Sequence, residues 1–83
     1  MDRHGLRKIV IATLRTIAPE VDEEELIDSE ALRNQVDLDS MDWLNFLIGL
    51  HEGLKVEIPE ADYAGLVTLN NVLDYLCIKL GMA

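Results

Sequence analysis

The sequence predicts an all-α fold: a small bundle of three main helices plus one short helix, forming a single domain over residues 1–83. Three observations carry that expectation. Apolar residues recur at i, i+3, i+4 and i+7 in three separate stretches. Start and stop residues bound those stretches, with Pro19, Asp39, Gly53, Thr68 and Gly81 at the edges. The composition, 49% hydrophobic and 28% charged over 83 residues, suits one thin globular core. That core must be Leu, Ile and Val, because Trp43, Phe46, Tyr63 and Tyr75 are the only aromatics.

The first helix is expected over residues 3–18, with Leu6, Ile9, Val10, Thr13, Leu14 and Ile17 on its inner face. Pro19 ends it, since the residue before a proline disfavours helical backbone. Residues 19–39 show no sustained period, and a turn of helix is expected near 23–27, with Leu26, Ile27, Leu32, Val36 and Leu38 pinning the segment to the core. A connection this long in a compact domain points to function. The second helix should run from Ser40 to Leu54, with Asp39 as N-cap and Asp42 at N3. Gly53 and the extended-looking "KVEIP" mark its end. Pro59 then opens a short helix over 60–65, as a proline in the first helical position. Thr68 caps the last helix, whose inner face is Leu69, Val72, Leu73, Leu76 and Leu80, and Gly81 stops it.

Net charge is −9, and its placement is uneven. Ten acids lie between Pro19 and Asp42, opposed only by Arg33; the rest of the chain is neutral. Such a field repels nucleic acid and anionic membranes and attracts basic partners. Apolar runs are far shorter than a membrane span, and no signal-like segment follows the charged start. Cys77 is a lone cysteine in an apolar stretch, read as a buried reduced thiol. A cytoplasmic monomer that neither binds nucleic acid nor inserts in membranes is expected.

The acidic segment ends at "QVDLDSMDWLNFLIGL", where Ser40 stands among Asp37, Asp39 and Asp42 before a long apolar run. A calcium loop fails there: counted from Asp37, the required glycine position holds Asp42 and the required glutamate position holds Ile48. No metal ligand set is assigned. An aspartyl-phosphate site needs an apolar strand before the acids and a larger scaffold. A serine nucleophile needs a base. The only histidines are His4 and His51, and His51 lies about 16 Å along the same helix at 1.5 Å per residue. No catalytic residues are assigned and the chain is not expected to be an enzyme. What remains is a simple helix start, or a serine presented for modification at a helix N-terminus that favours phosphate.

Helical angles divide the second helix into two stripes. Trp43, Phe46, Leu47, Leu50 and Leu54 face the core. Met41, Leu44 and Ile48 cluster roughly 145° away, flanked by Asn45 and Glu52, with Asp42 further round. A surface helix needs one apolar stripe, so the second either meets the long loop or docks a partner.

The stretch "DLDSMDWLNFLIGLHEGLKVEIPEADYAGLVTLNNVLDYL" resembles the acyl carrier proteins, and the likeness covers almost the whole chain. Asp39-Ser40-Met41 stands where that family has Asp-Ser-Leu or Asp-Ser-Met, followed by "VEIP", a short acidic helix and a threonine-opened last helix. The resemblance implies that Ser40 carries a 4′-phosphopantetheine arm taken from coenzyme A by a phosphopantetheinyl transferase. Asp39 then belongs to the motif as well as the cap. The arm's thiol would hold acyl groups as thioesters, presented to acyl-transferring, condensing or ligating enzymes of fatty-acid, polyketide or specialised lipid synthesis. Those partners would dock through basic and apolar patches on Met41, Asp42, Leu44, Ile48 and Glu52. Two departures stand out: Asp37 replaces the family's frequent glycine, and Asn45 and His51 occupy positions usually acidic. These departures imply docking that leans more on the apolar stripe, and a specialised carrier. The alternatives are a peptidyl or aminoacyl carrier, or a small acidic helical interaction module without cofactor.

Overall fold

The computed structural model describes residues 2–82. Helix α1 spans Arg3–Ile17, α2 Leu32–Gln35, α3 Ser40–Leu54 and α4 Leu69–Lys79, with a 3₁₀ segment over Glu60–Gly65. The all-α bundle of three long helices is as the periodicity predicts. No strand occurs among the described residues, only an isolated antiparallel bridge between Ala31 and Thr68.

Each long helix starts on a side chain that accepts an otherwise unpaired backbone N–H. Asp2 accepts from Gly5. Asp39 accepts from Asp42. Thr68 accepts from Asn71, whose own side chain returns to the Thr68 N–H, completing a capping box. The helices then bury one stripe each. Leu6, Val10, Ile11 and Leu14 of α1 meet Trp43, Phe46, Leu47 and Leu50 of α3 and Leu69, Val72, Leu73 and Leu76 of α4 in one core. Burying a side chain of this size contributes about 1.5–3 kcal/mol each, against which chain entropy must be set. Helices α1 and α3 approach closely at Gly49, where a Cβ would lie 2.9 Å from the Thr13 methyl.

Several local expectations need correction. On α1, Ile9 is exposed and Ile11 takes its place in the core, because the buried stripe is centred one residue round from the expected one. Residues 23–25 form a turn rather than helix, and the short helix of the connection lies later, at α2. Ile27 is exposed, whereas Val21, which the periodicity did not single out, is buried. Leu32, Val36 and Leu38 do anchor the connection. Pro59 is the residue before the 3₁₀ segment, not its first residue. Helix α3, by contrast, ends at Leu54 as expected: Lys55 takes the left-handed conformation (φ 55°), and the Val56 N–H closes back on the His51 carbonyl. Cys77 is half-buried, lining a surface hollow with Arg3, Ile78 and Met82.

The long connection is held by polar contacts. The Leu32 N–H donates to the Val67 carbonyl at 2.9 Å and the Asn70 N–H to the Asp28 carbonyl at 3.0 Å. Arg7 clamps the Asp28 carboxylate through Nε (3.0 Å) and Nη2 (2.8 Å), and this bond raises the Arg7 pKa. Gln35 staples the turn before α2, donating to the Ile27 and Glu30 carbonyls and accepting from the Ile27 N–H.

Candidate functional site

The chain enters α3 as an extended segment whose side chains alternate. Val36 and Leu38 are buried; Asp37 and Asp39 point outward. This period of two fixes the segment to the core and leaves its acids in solvent. Asp39 is extended (φ −80°, ψ −179°), and its carboxylate accepts the Asp42 N–H at 2.8 Å while its carbonyl accepts the Trp43 N–H at 3.0 Å. Ser40 is the first residue of α3 and is exposed. The cap is therefore filled by Asp39, and the Ser40 hydroxyl is left over for other chemistry.

The serine has no histidine at hand. His51 lies at the far end of α3, where Nδ1 meets the Val56 carbonyl at 2.6 Å and so carries the proton of that bond. His4 is exposed in the first turn of α1. Both sit on the surface, as their sequence contexts imply.

On α3 the second stripe is on the surface. Met41 (64%) and Ile48 (39%) are exposed, Leu44 and Asp42 are half-buried and Glu52 is exposed. Met41 and Ile48 are thus left open to solvent. By helical angle Met41, Ile48, Glu52 and Leu44 fall within about 80° of one another, and Ser40 lies about 40° beyond Leu44, the near edge of that group.

Two shallow depressions border α3. One, of about 220 Å³, is lined by Ala31, Arg33, Trp43, Tyr63, Leu66 and Val67. The other, of about 200 Å³, is lined by Leu47, Ile48, His51, Glu57, Ile58 and Tyr63. Tyr63 contributes to both. Trp43 is only 9% exposed and leans on Phe46 (centroids 5.3 Å apart, planes at 41°), so it is at once core and depression wall. Periodicity did not single out Arg33 or Tyr63 as neighbours of this site. The available signal for Arg33 was its isolation among ten acids.

This geometry suits a phosphate-bearing arm. The hydroxyl is exposed, it is free of capping duty, and it stands in the first turn of a helix, where backbone N–H groups favour an anion.

Known proteins point the same way. Residues 6–76 match the family described as a phosphopantetheine attachment site. The acyl carrier protein of Rubrobacter xylanophilus is 30% identical over 92% of this chain and 93% of its own length. Those of Clostridium perfringens and Thermosynechococcus vestitus are each 30% identical, over 68% and 72% of this chain and 74% of their own lengths. The group implied is 4′-phosphopantetheine, and proteins of this kind carry acyl groups for other enzymes rather than catalyse. A helical bundle with an exposed serine at a capped helix start, and this match over most of its length, place the chain in the acyl carrier protein family.

Proposed function

We propose that Ser40 is the attachment residue and that the chain works as a free-standing carrier of acyl thioesters. In the loading reaction the Ser40 oxygen forms a bond to the phosphorus next to the pantetheine of coenzyme A. The pyrophosphate P–O bond breaks, adenosine bisphosphate leaves, and the serine proton passes to a base on the transferase. Asp39 supports this by holding the helix start, so that the hydroxyl is presented on a fixed backbone. The observation that carries the reading is the exposure of Ser40 beside a cap already satisfied by Asp39. Incubation with coenzyme A and a phosphopantetheinyl transferase should add one arm to the wild type and none to Ser40→Ala, read by intact mass. An unmodified wild type overturns the assignment.

Partner enzymes are proposed to dock on Met41, Leu44 and Ile48, with Asp42 and Glu52 meeting basic residues at the rim. Exposed charge pairs contribute little each, so the apolar stripe carries most of the affinity. Leu44→Asp should then abolish transfer of the load to a partner while leaving arm attachment measurable. A monomer acting in the cytoplasm, in fatty-acid, polyketide or specialised lipid synthesis, is the setting that suits these features. The replacement of acids by Asn45 and His51 on α3 favours a second reading, a carrier of aminoacyl or peptidyl groups. Mass analysis of the load carried in cells separates the two.

A further inference from the structure

An arm joined through phosphate to Ser40 brings a negative charge into a place already crowded with Asp37, Asp39 and Asp42. One cation is positioned to answer it. Arg33 is the only base between Pro19 and Asp42, yet among the described residues no carboxylate lies within ion-pair reach of it. The contrast with α1 is instructive: Arg3 is committed to Asp74 at 2.7 Å and Arg7 to Asp28 at 2.8 Å. Arg33 instead donates from Nε to the Leu38 carbonyl at a long 3.4 Å, two residues before Ser40. That contact anchors the side chain and leaves both terminal nitrogens of the guanidinium for another acceptor.

The same side chain helps line the depression whose walls are Ala31, Trp43, Tyr63, Leu66 and Val67. Trp43 follows Ser40 by three residues, about 60° round the helix and about 4.5 Å along it. The depression thus flanks the serine's side of α3. It offers an apolar floor with a cationic group at its rim, beside the proposed attachment point.

We propose that Arg33 is a positioning residue for the phosphopantetheine arm. Its guanidinium pairs with the anionic phosphodiester on Ser40 and settles the arm over the depression between Trp43 and Tyr63. The guanidinium fork matches phosphate oxygens two at a time, which an ammonium does not. The arm's aliphatic portion suits the apolar floor, and its amides remain at the rim where water and Arg33 reach them. This inference rests on the assignment of Ser40 as the attachment residue.

The test compares arm-free and arm-bearing forms of the wild type, Arg33→Gln and Arg33→Lys, each verified by intact mass. Readouts are the phosphorus NMR shift of the diester and the amide NMR shifts of Ala31, Leu66 and Val67. In the wild type, arm attachment should move the amide signals around the depression. In Arg33→Gln those changes should fall to about half or less, with Arg33→Lys between the two, because it keeps the charge and loses the fork. Raising salt to about 0.5 M should push the wild type toward Arg33→Gln, since an exposed pair is screened. Identical arm-induced changes in wild type and Arg33→Gln overturn the inference. So does a variant whose only defect is an equal loss of melting temperature in both forms, which would make Arg33 a brace for Leu38. A wild type that accepts no arm overturns the Ser40 assignment and this inference together; an attached arm indifferent to Arg33 overturns only the latter.

Discussion

Asp39 and Ser40 divide the labour at the start of α3. The carboxylate takes the Asp42 N–H, and the hydroxyl is spared. Removing an N-cap carboxylate costs about 1 kcal/mol, which in a domain of this size lowers the melting temperature by roughly 4–8 °C. Asp39→Ala should show that loss by circular dichroism, whereas Ser40→Ala, the variant that on the proposed assignment takes no arm, should melt close to the wild type. Equal losses would mean that the serine shares the capping. A second residue reports at the alkaline end. Burial, and then the hydrogen bond from its hydroxyl to Asp62 at 2.6 Å, push the Tyr75 pKa up to about 12. The folded value exceeds the ordinary value of 10, so its stabilising contribution is complete below pH 10 and is lost as pH rises toward 12. Ionisation would place a phenolate against a carboxylate and release the 3₁₀ segment from α4. Denaturant stability should therefore fall between pH 10 and 12 in the wild type, and this fall should be shallower in Tyr75→Phe. The serine was legible in the sequence because an acid–serine pair before an apolar run is a pattern. Arg33 was not, because its position depends on where a non-periodic loop folds back.

Between elements, the contact of α1 with α3 turns on Gly49 and Thr13. Glycine inside a helix is worth up to about 1 kcal/mol less than alanine, so Gly49→Ala should stabilise if space allowed. It does not allow it: the new Cβ would sit 2.9 Å from the Thr13 methyl. Thr13 is held in its rotamer by its hydroxyl donating to the Ile9 carbonyl at 3.0 Å, so it cannot swing away without losing that bond. Overpacking of this kind costs about 1–3 kcal/mol. Gly49→Ala should thus destabilise, and Thr13→Ser, which removes the methyl and keeps the hydroxyl, should reverse the sign in the double variant. A Gly49→Ala that is more stable alone would show that the helices separate easily. The three long helices were readable because apolar period and caps agree, as at Asp39 and Thr68. The connection was not, since its shape comes from single long-range contacts. Arg7 reaches 21 residues ahead to Asp28, and Gln35 reaches 8 back to Ile27. Neither has a local signature. The same logic explains why local pattern points to a turn of helix near 23–27 while the short helix forms at Leu32–Gln35, where Leu32 reaches the core and Gln35 finds its carbonyls.

At the scale of the whole molecule, charge is the dominant asymmetry. Sixteen acids face seven bases, and ten of those acids crowd the segment that ends in the Ser40 site. Salt acts on this in two opposite ways. It screens the repulsion among like charges, which stabilises the fold, and it weakens the ion pairs that hold it. The ion pairs among the described residues involve only Arg3 and Arg7, and the Arg7–Asp28 pair is sheltered, with its side chains 21% and 33% exposed. Repulsion from an excess of nine negative charges is spread over exposed carboxylates and is screened readily. Screening of repulsion should win, so the melting temperature should rise as salt goes from low concentration to about 0.5 M, where the screening length drops below about 5 Å. Glu24 and Glu25 are exposed and take no part in these ion pairs. Their joint replacement by glutamine should raise low-salt stability and flatten the salt response, leaving the core untouched. A melting temperature that fell with salt would place the ion pairs, and Arg7–Asp28 first among them, above self-repulsion in setting the stability of the bundle.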